Sequence, residues 1–147
     1  MPSIRTFCFS SALSGNPVTA DAVTECIHKL KESLKDQHPD LLFLFVSPHH
    51  AHAFSVLPEQ LYAALQPRHL FGCTGGSVIG AGREVERAPA LALTAACLPE
   101  VKLRTFHLQG DGLPNLDFGP HVWHEALGFD AAAKPQFVLL ADPFSFP

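Results

Sequence analysis

The sequence lacks the features that mark two large classes of protein. Its longest uninterrupted apolar run is Leu41 to Val46, whereas a helix that spans a bilayer needs about 20 apolar residues. Its 10 lysines and arginines are scattered and are outnumbered by 14 aspartates and glutamates, so the sequence offers no basic stripe for a phosphate backbone. We therefore expect no membrane partner and no nucleic-acid partner.

Cysteine is scarce and widely spaced. The four cysteines are Cys8, Cys26, Cys73 and Cys97, with no C-x-x-C pair. This pattern fits neither a zinc knuckle nor a small disulfide framework. Reduced thiols are the simplest interpretation, and they predict a cytoplasmic protein.

Glycine is concentrated in one segment. Five of the ten glycines lie between Phe71 and Glu86, directly after a β-like run, which predicts a loop with a shaped backbone. The lysine that a P-loop needs is absent, and Val85 stands where a dinucleotide fingerprint needs its last glycine. A backbone nest for another small anion or zwitterion remains open.

The first half of the chain alternates strands and helices. Asn16-Pro17 starts an amphipathic helix that Pro39 ends, and a second helix covers Pro58 to Leu65. These helices lie between three predicted strands, at Ile4 to Phe9, Leu41 to Val46 and His69 to Cys73. The order predicts a parallel β-α-β-α-β arrangement with helices packed on the sheet.

The second half has a different rhythm. The β-like runs Ala90 to Leu98 and Lys102 to Leu108 are separated by so few residues that they predict an antiparallel hairpin. A short helix is expected at His121 to Leu127, anchored by Trp123, and another strand at Phe137 to Ala141. The fold class is therefore predicted as α/β with a mixed sheet, in a single domain of residues 1–147.

Polar residues follow the second predicted strand at the point where it ends. Open α/β sheets bind ligands at such strand ends. An H-x-H pair can hold a metal, but zinc chemistry also needs a third ligand, which the sequence does not identify; an exposed polar loop is the plain alternative. Cys73 with Thr74 could act as a nucleophile, although a free cysteine more often has a packing role.

We predict a ligand-binding site on two facing segments, with Arg83 as a partner for a carboxylate. Neither a cofactor nor a bound metal is expected. The strand-end segment contributes Ser47, His49, His50 and His52. The glycine-rich segment contributes Cys73, Thr74, Gly75, Gly76, Ser77 and Arg83.

Four segments together resemble the N-terminal part of the FIST domain, which is named for F-box and intracellular signal transduction proteins. They are PDLLFLFVSPHH from Pro39, HLFGCTGGSVIGAGREVE from His69, PALALTAACLP from Pro89 and FVLLADPFSF from Phe137. The resemblance implies a sensory module that binds a small ligand, with amino acids as suggested ligands. Members continue into a C-terminal FIST portion, so it also implies that this chain is incomplete at its C-terminus or works with that portion or with a signalling partner.

We therefore expect a cytoplasmic sensory domain that binds an amino acid or a small carboxylate in signal transduction. Binding is favoured over catalysis, but two alternatives stay open. One is a hydrolase that uses His49 and His52 with a metal, or Cys73 as its nucleophile. The other is an interaction scaffold that docks through the apolar residues Phe144 and Phe146.

Overall fold

The computed structural model describes residues 6–35, 37–108 and 112–142. They group into two compact units that divide between Leu103 and Arg104. The first unit has β1 (Cys8–Ser14), α1 (Thr19–Leu34), β2 (Leu41–Val46), a 3-10 segment (Pro48–Ala53), α2 (Leu57–Leu65), β3 (His69–Thr74), β4 (Ser77–Gly80), β5 (Arg83–Glu86) and β6 (Leu91–Cys97). The second has α3 (His121–Leu127) between two short 3-10 turns, Leu116–Phe118 and Ala131–Ala133.

The main sheet of the first unit has four strands in the order β1-β6-β2-β3. β2 and β3 are parallel neighbours, whereas β6 runs antiparallel to both β1 and β2. β1, β2 and β3 therefore point in one direction, as the alternating sequence predicts. The α/β class and the mixed sheet are confirmed, but the parallel order is interrupted because β6 lies between β1 and β2.

Two predicted strands of the second half are wrong. Residues 102–108 and 137–141 adopt no strand, so the predicted hairpin of 90–98 with 102–108 does not form. The physical reason is that β6 already pairs on both of its edges, with β1 and with β2. The antiparallel hairpin of this fold is instead β4 with β5, joined at Ala81-Gly82.

The first strand also lies later than the sequence predicts. It covers Cys8–Ser14, and residues 4 and 5 of the predicted strand lie outside the described residues. The serines of β1 interrupt the apolar pattern by which a strand is predicted. Two of them, Ser11 and Ser14, form hydrogen bonds within the fold. The Ser11 Oγ lies 3.2 Å from the Thr94 Oγ1 across the β1–β6 pair, and Ser14 is buried at the end of β1.

The two faces of the sheet are covered by different elements. On one face α1 and α2 bury a cluster that includes Leu30, Leu61 and Leu93. On the other face the β4–β5 hairpin packs through Val78 against Leu13 and its neighbours. Because successive side chains of a strand point to opposite faces, α1 and the hairpin lie on opposite sides of the sheet.

The second unit is built around α3, whose predicted bounds are confirmed. The helix ends at Gly128, where φ is +60°, a conformation that favours glycine. The Arg104 guanidinium donates a hydrogen bond of 2.7 Å to the Gly128 carbonyl. Within the described residues, no helix has the length and apolar character needed to cross a membrane.

Candidate functional site

Ser47 ends β2 and is tied to the segment that enters β6. Its hydroxyl accepts a hydrogen bond of 2.9 Å from the Ala90 amide, and its own amide donates to the Ala90 carbonyl at 2.9 Å. The side chain is only 2% exposed. Ser47 therefore positions the start of the histidine segment, and its hydroxyl is already engaged by the backbone.

Thr19 brings two of the predicted histidines together. Its hydroxyl Oγ1 lies 2.9 Å from the Nδ1 of His50 and 3.2 Å from the Nε2 of His52. Thr19 is the first residue of α1, whereas both histidines lie in the 3-10 segment after β2. The first turn of α1 and the end of β2 thus meet at one hydroxyl. His49 is exposed, and its Nδ1 lies 3.3 Å from the Ser47 Oγ.

His50 is the most unusual residue of this cluster. It is fully buried, and its Nε2 has no hydrogen-bond partner among the described residues. Burial lowers the pKa of its imidazole, and the neighbouring His52 and His49 lower the pKa further. A buried polar atom without a partner is costly, so its presence calls for a functional explanation.

A network of polar side chains supports the turn that carries Thr19. The Ser14 hydroxyl and the Asn16 side-chain amide both donate to the Glu25 carboxylate, and the Asn16 Oδ1 accepts from the Val18 amide at 2.9 Å. The hydrogen bond from Ser14, followed by that from Asn16, lowers the pKa of Glu25. The β1–α1 turn is therefore held by side chains, which fixes Thr19 beside the histidines.

Sequence reasoning did not identify Thr19 as part of the site. The signal was present but weak, because a threonine at the start of a helix is read as a helix-start residue. Only the tertiary contact between α1 and the segment after β2 gives it a second role. Ser14, Asn16 and Glu25 were not predicted as part of the site either, because the hydrogen bonds that join them form only in the folded protein.

The end of β3 lies beside the end of β2. Thr74 is aligned with Val46 in the parallel pair, and the Gly75 amide donates to the Val46 carbonyl at 3.0 Å. Cys73, Thr74 and Gly76 are exposed here. The structure therefore places residues 73–76 beside the end of β2.

Ser77 and Arg83 belong to a different surface. Both are exposed on the β4–β5 hairpin, where the Ser77 hydroxyl donates to the Glu84 carboxylate at 2.9 Å. This hairpin covers the face of the sheet opposite to α1. The structure does not bring these two residues together with Thr19 and His50.

Packing and turn geometry explain much of the glycine cluster. A side chain at Gly72 would collide with the backbone of Leu44 in β2, and one at Gly80 would come within 2.9 Å of the Ala92 Cβ. Ala81 and Gly82 both have positive φ, at 47° and 73°, as a tight hairpin turn requires. The segment predicted as a glycine-rich loop is thus largely strand and hairpin.

The residues named for the two hydrolase alternatives are His49 with His52, and Cys73. No group of three or more histidine, cysteine, aspartate or glutamate side chains within the described residues is placed to hold a metal ion. Cys73 is exposed, and no hydrogen bond joins it to a base in the described part of the chain. The two phenylalanines of the scaffold alternative, Phe144 and Phe146, lie outside the described residues.

Comparison with known proteins identifies the family. The family model described as FIST N domain matches residues 40–147, so this chain belongs to the FIST N domain family, a family of signal-transduction domains. Two proteins of Mycobacterium tuberculosis, the uncharacterized proteins MT0656 of strain CDC 1551 / Oshkosh and Rv0628c of strain H37Rv, are each 30% identical to it over 138 residues. The match covers 92% of this chain and 33% of each relative, so the chain spans about a third of their length. No solved structure gave a significant match.

Proposed function

We propose that this chain is a sensory domain that binds a small carboxylate, such as an amino acid, where Thr19, His50 and His52 meet. The observation that carries the proposal is the Nε2 of His50, buried without a partner in the described part of the chain. It lies in the segment that follows the carboxyl end of β2, beside the parallel strand β3. Ligands of open α/β sheets bind at such strand ends.

One arrangement of protons around Thr19 would make His50 a donor to an anionic ligand. A hydroxyl has one proton and two acceptor lone pairs, so Thr19 can donate to at most one of the two imidazoles. When Thr19 donates to the Nδ1 of His50 and accepts from the Nε2 of His52, the Nε2 of His50 carries a proton that faces no acceptor. A carboxylate oxygen would satisfy this buried N–H, and the N-terminus of α1 would favour the negative charge.

The accessibility of the two histidines suggests how binding would produce a signal. His52 is exposed whereas His50 is sealed inside, so a ligand meets His52 first. Contact with His50 then requires the segment Pro48–Ala53 to move. The backbone of this segment is already irregular at His50, where φ is −100° and ψ is 17°. Movement there would transmit ligand binding to the ends of β2 and β3.

The proposal also includes a protein partner for this chain. We place residues 1–147 in one FIST N domain that works with a C-terminal FIST portion or with another signalling protein. The support is the length of the two mycobacterial relatives, of which the match covers 33%. The cytoplasm is the compartment proposed for this activity.

Calorimetric titration with the twenty amino acids and a set of small carboxylates tests the proposal. We expect one compound to bind, and His52→Ala to weaken its binding by at least about tenfold, because without the His52 N–H the Thr19 hydroxyl is no longer held as the donor to His50, and the bond from the His50 Nε2–H to a carboxylate contributes about 1.5–3 kcal/mol. His28→Ala is the matched control because His28 is an exposed histidine elsewhere on the first unit. Absence of binding, or equal binding by the His52 variant, would refute the proposal.

A further inference from the structure

The second unit contains a cavity of about 570 Å³ that the proposed site does not use. Its walls are formed by residues of α3, by Gly119 and Pro120 directly before it, and by residues of the segments 106–108 and 129–139. Four of the lining residues carry aromatic rings, Phe106, Trp123, Phe129 and Phe137. A volume of this size lies within the range of small-molecule sites, roughly 300–1,000 Å³.

Three of the rings that line the cavity pack against one another. Phe129 contacts His124 with centroids 4.9 Å apart, and it meets Phe137 edge to face with centroids 5.2 Å apart. Aromatic side chains favour such tilted arrangements because the electron-rich face of one ring attracts the edge of the next. The row of His124, Phe129 and Phe137 therefore forms one wall of the cavity from rings that pack against one another.

The polar content of the walls limits the class of ligand. Among the described residues, no lysine, arginine, aspartate or glutamate lines the cavity, and His124 and the indole of Trp123 provide its polar side-chain groups. An ionic group against these walls would lose part of its hydration without gaining a charged partner. The ring body of the ligand must therefore be uncharged, with at most one or two hydrogen-bonding groups.

We propose that this cavity is a second binding site, for a small planar ring compound with an uncharged ring body. Phe137 and Leu139 support this assignment because both line the cavity while their side chains remain 53% and 60% exposed. A ligand of this kind would cover apolar surface that is otherwise open to water. The proposal does not depend on the carboxylate site of the first unit.

Trp123 provides a direct test, because it is the single tryptophan of the chain. The probe is 1-anilinonaphthalene-8-sulfonate, whose rings fit the described class and whose sulfonate can remain at the cavity mouth. We expect one probe molecule per chain, with energy transfer from the indole to the bound probe. We expect Phe137→Ala to weaken binding about fivefold, since an aromatic contact contributes about 0.5–1.5 kcal/mol beyond its buried area.

Phe118→Ala is the matched control, because Phe118 is 63% exposed in the same unit and does not line the cavity. It should bind the probe as the unchanged protein does. Phe129→Leu gives a second measure if Phe137→Ala fails to fold, since it keeps apolar volume and removes only the ring. Binding of several probe molecules without energy transfer, or equal weakening by the Phe118 control, would overturn the proposal.

Discussion

The Thr19 hydroxyl lies 2.9 Å from the Nδ1 of His50, inside the protein. The two residues are 31 positions apart, and the strands that precede them are separated in the sheet by β6. The contact therefore joins α1 to the end of β2 across an intervening strand. Because Thr19 is 8% exposed and His50 is 0% exposed, water cannot readily replace this hydrogen bond.

Removal of the Thr19 hydroxyl should destabilise the protein. Thr19→Ala leaves His50 buried with neither imidazole nitrogen hydrogen-bonded, and we expect a loss of about 1–3 kcal/mol in the free energy of unfolding. Thr24→Ala is the control, because Thr24 lies in the same helix but is exposed, and its hydroxyl only donates to the Ala20 carbonyl. Urea denaturation measures both variants. Equal losses would mean that the hydrogen bond to His50 contributes no more to the free energy of unfolding than an exposed one does.

The stability of the protein should depend on pH through His50. Since burial lowers its pKa, the unfolded chain binds this proton at a higher pH than the folded chain does. The free energy of unfolding should therefore fall as the pH is lowered through about 6.5, the ordinary value for histidine. The contribution of His50 to this fall should end at the lower pH where His50 is protonated in the folded protein as well.

Urea midpoints measured between pH 8 and pH 5 test this dependence. His50→Gln should flatten the slope in that interval, whereas His121→Gln, which changes an exposed histidine on α3, should leave it unchanged. The Glu25 carboxylate adds a separate dependence, because its lowered pKa places its loss of stabilisation below about pH 4.5. An unchanged slope in the His50 variant would contradict the prediction.

The buried carboxylate of Asp40 should be essential for the fold of the first unit. Asp40 is 0% exposed, its Oδ2 accepts from the Leu98 amide at 2.6 Å, and its Oδ1 lies 3.2 Å from the Nη1 of Arg68. Asp40→Ala leaves the Leu98 amide and the Arg68 guanidinium without this partner, so we expect a loss of about 3 kcal/mol.

Arg68→Ala is the informative comparison for that experiment. The Arg68 side chain is 63% exposed, so water screens its pair with Asp40 and the expected loss is smaller, about 1 kcal/mol. Thermal and urea unfolding of the two variants should give this order. A greater loss for the arginine variant would show that the ion pair, rather than the hydrogen bond to the backbone, holds the carboxylate in place.

The four thiols should react at very different rates. Burial raises the pKa of Cys26 to about 11, and its Sγ lies 3.4 Å from the Leu91 carbonyl, whereas Cys73 is exposed. Since the thiolate is the reactive form, Ellman's reagent at pH 8 should modify Cys73 first and Cys26 only on unfolding. Cys73→Ser should remove the fast phase. Fast modification that persists in this variant would contradict the assignment.

The sequence predicts elements best where a local pattern alone determines them. β2 and α3 have the predicted bounds, and α2 and β3 each differ from prediction by one residue at one end. Each has a continuous apolar run or a helical period with clear stop signals. The bounds of these elements are therefore determined by residues that lie close together in the sequence.

Pairing between distant segments could not be predicted in the same way. The run 102–108 has the composition of a strand, but β6 pairs on one edge with β1 and on the other with β2. The apolar run 137–141 likewise remains without strand structure. Strand propensity describes a fit to a pleated surface rather than an intrinsic backbone preference, so composition alone does not decide whether an apolar run pairs.

The candidate site was predictable only in its position along the chain. The end of β2 and its histidines follow from the sequence, because an apolar run that stops at Ser47-Pro48 marks a strand end. The contact of His50 with Thr19 depends on how α1 lies on the sheet, which no local pattern encodes. For the same reason, the sequence could not predict that Arg83 and His50 lie on opposite sides of the sheet.

The glycine cluster should divide into positions that need glycine and positions that do not. A side chain at Gly72 would collide with the Leu44 backbone of the neighbouring strand, whereas nothing lies within 4 Å of the corresponding position at Gly76. We expect Gly72→Ala to cost at least about 2 kcal/mol, because the β2–β3 pair must separate to admit the methyl group. Gly76→Ala should change stability by less than about 0.5 kcal/mol.

Urea denaturation of the two alanine variants separates packing from binding as the reason for these glycines. If Gly76→Ala proves as stable as the unchanged protein yet binds the carboxylate ligand of the first unit more weakly, the Gly76 backbone lies against that ligand. If ligand binding is also unchanged, residues 75 and 76 serve only to connect β3 to β4. A Gly72→Ala variant of full stability would mean that β2 and β3 are not packed as closely as their register requires.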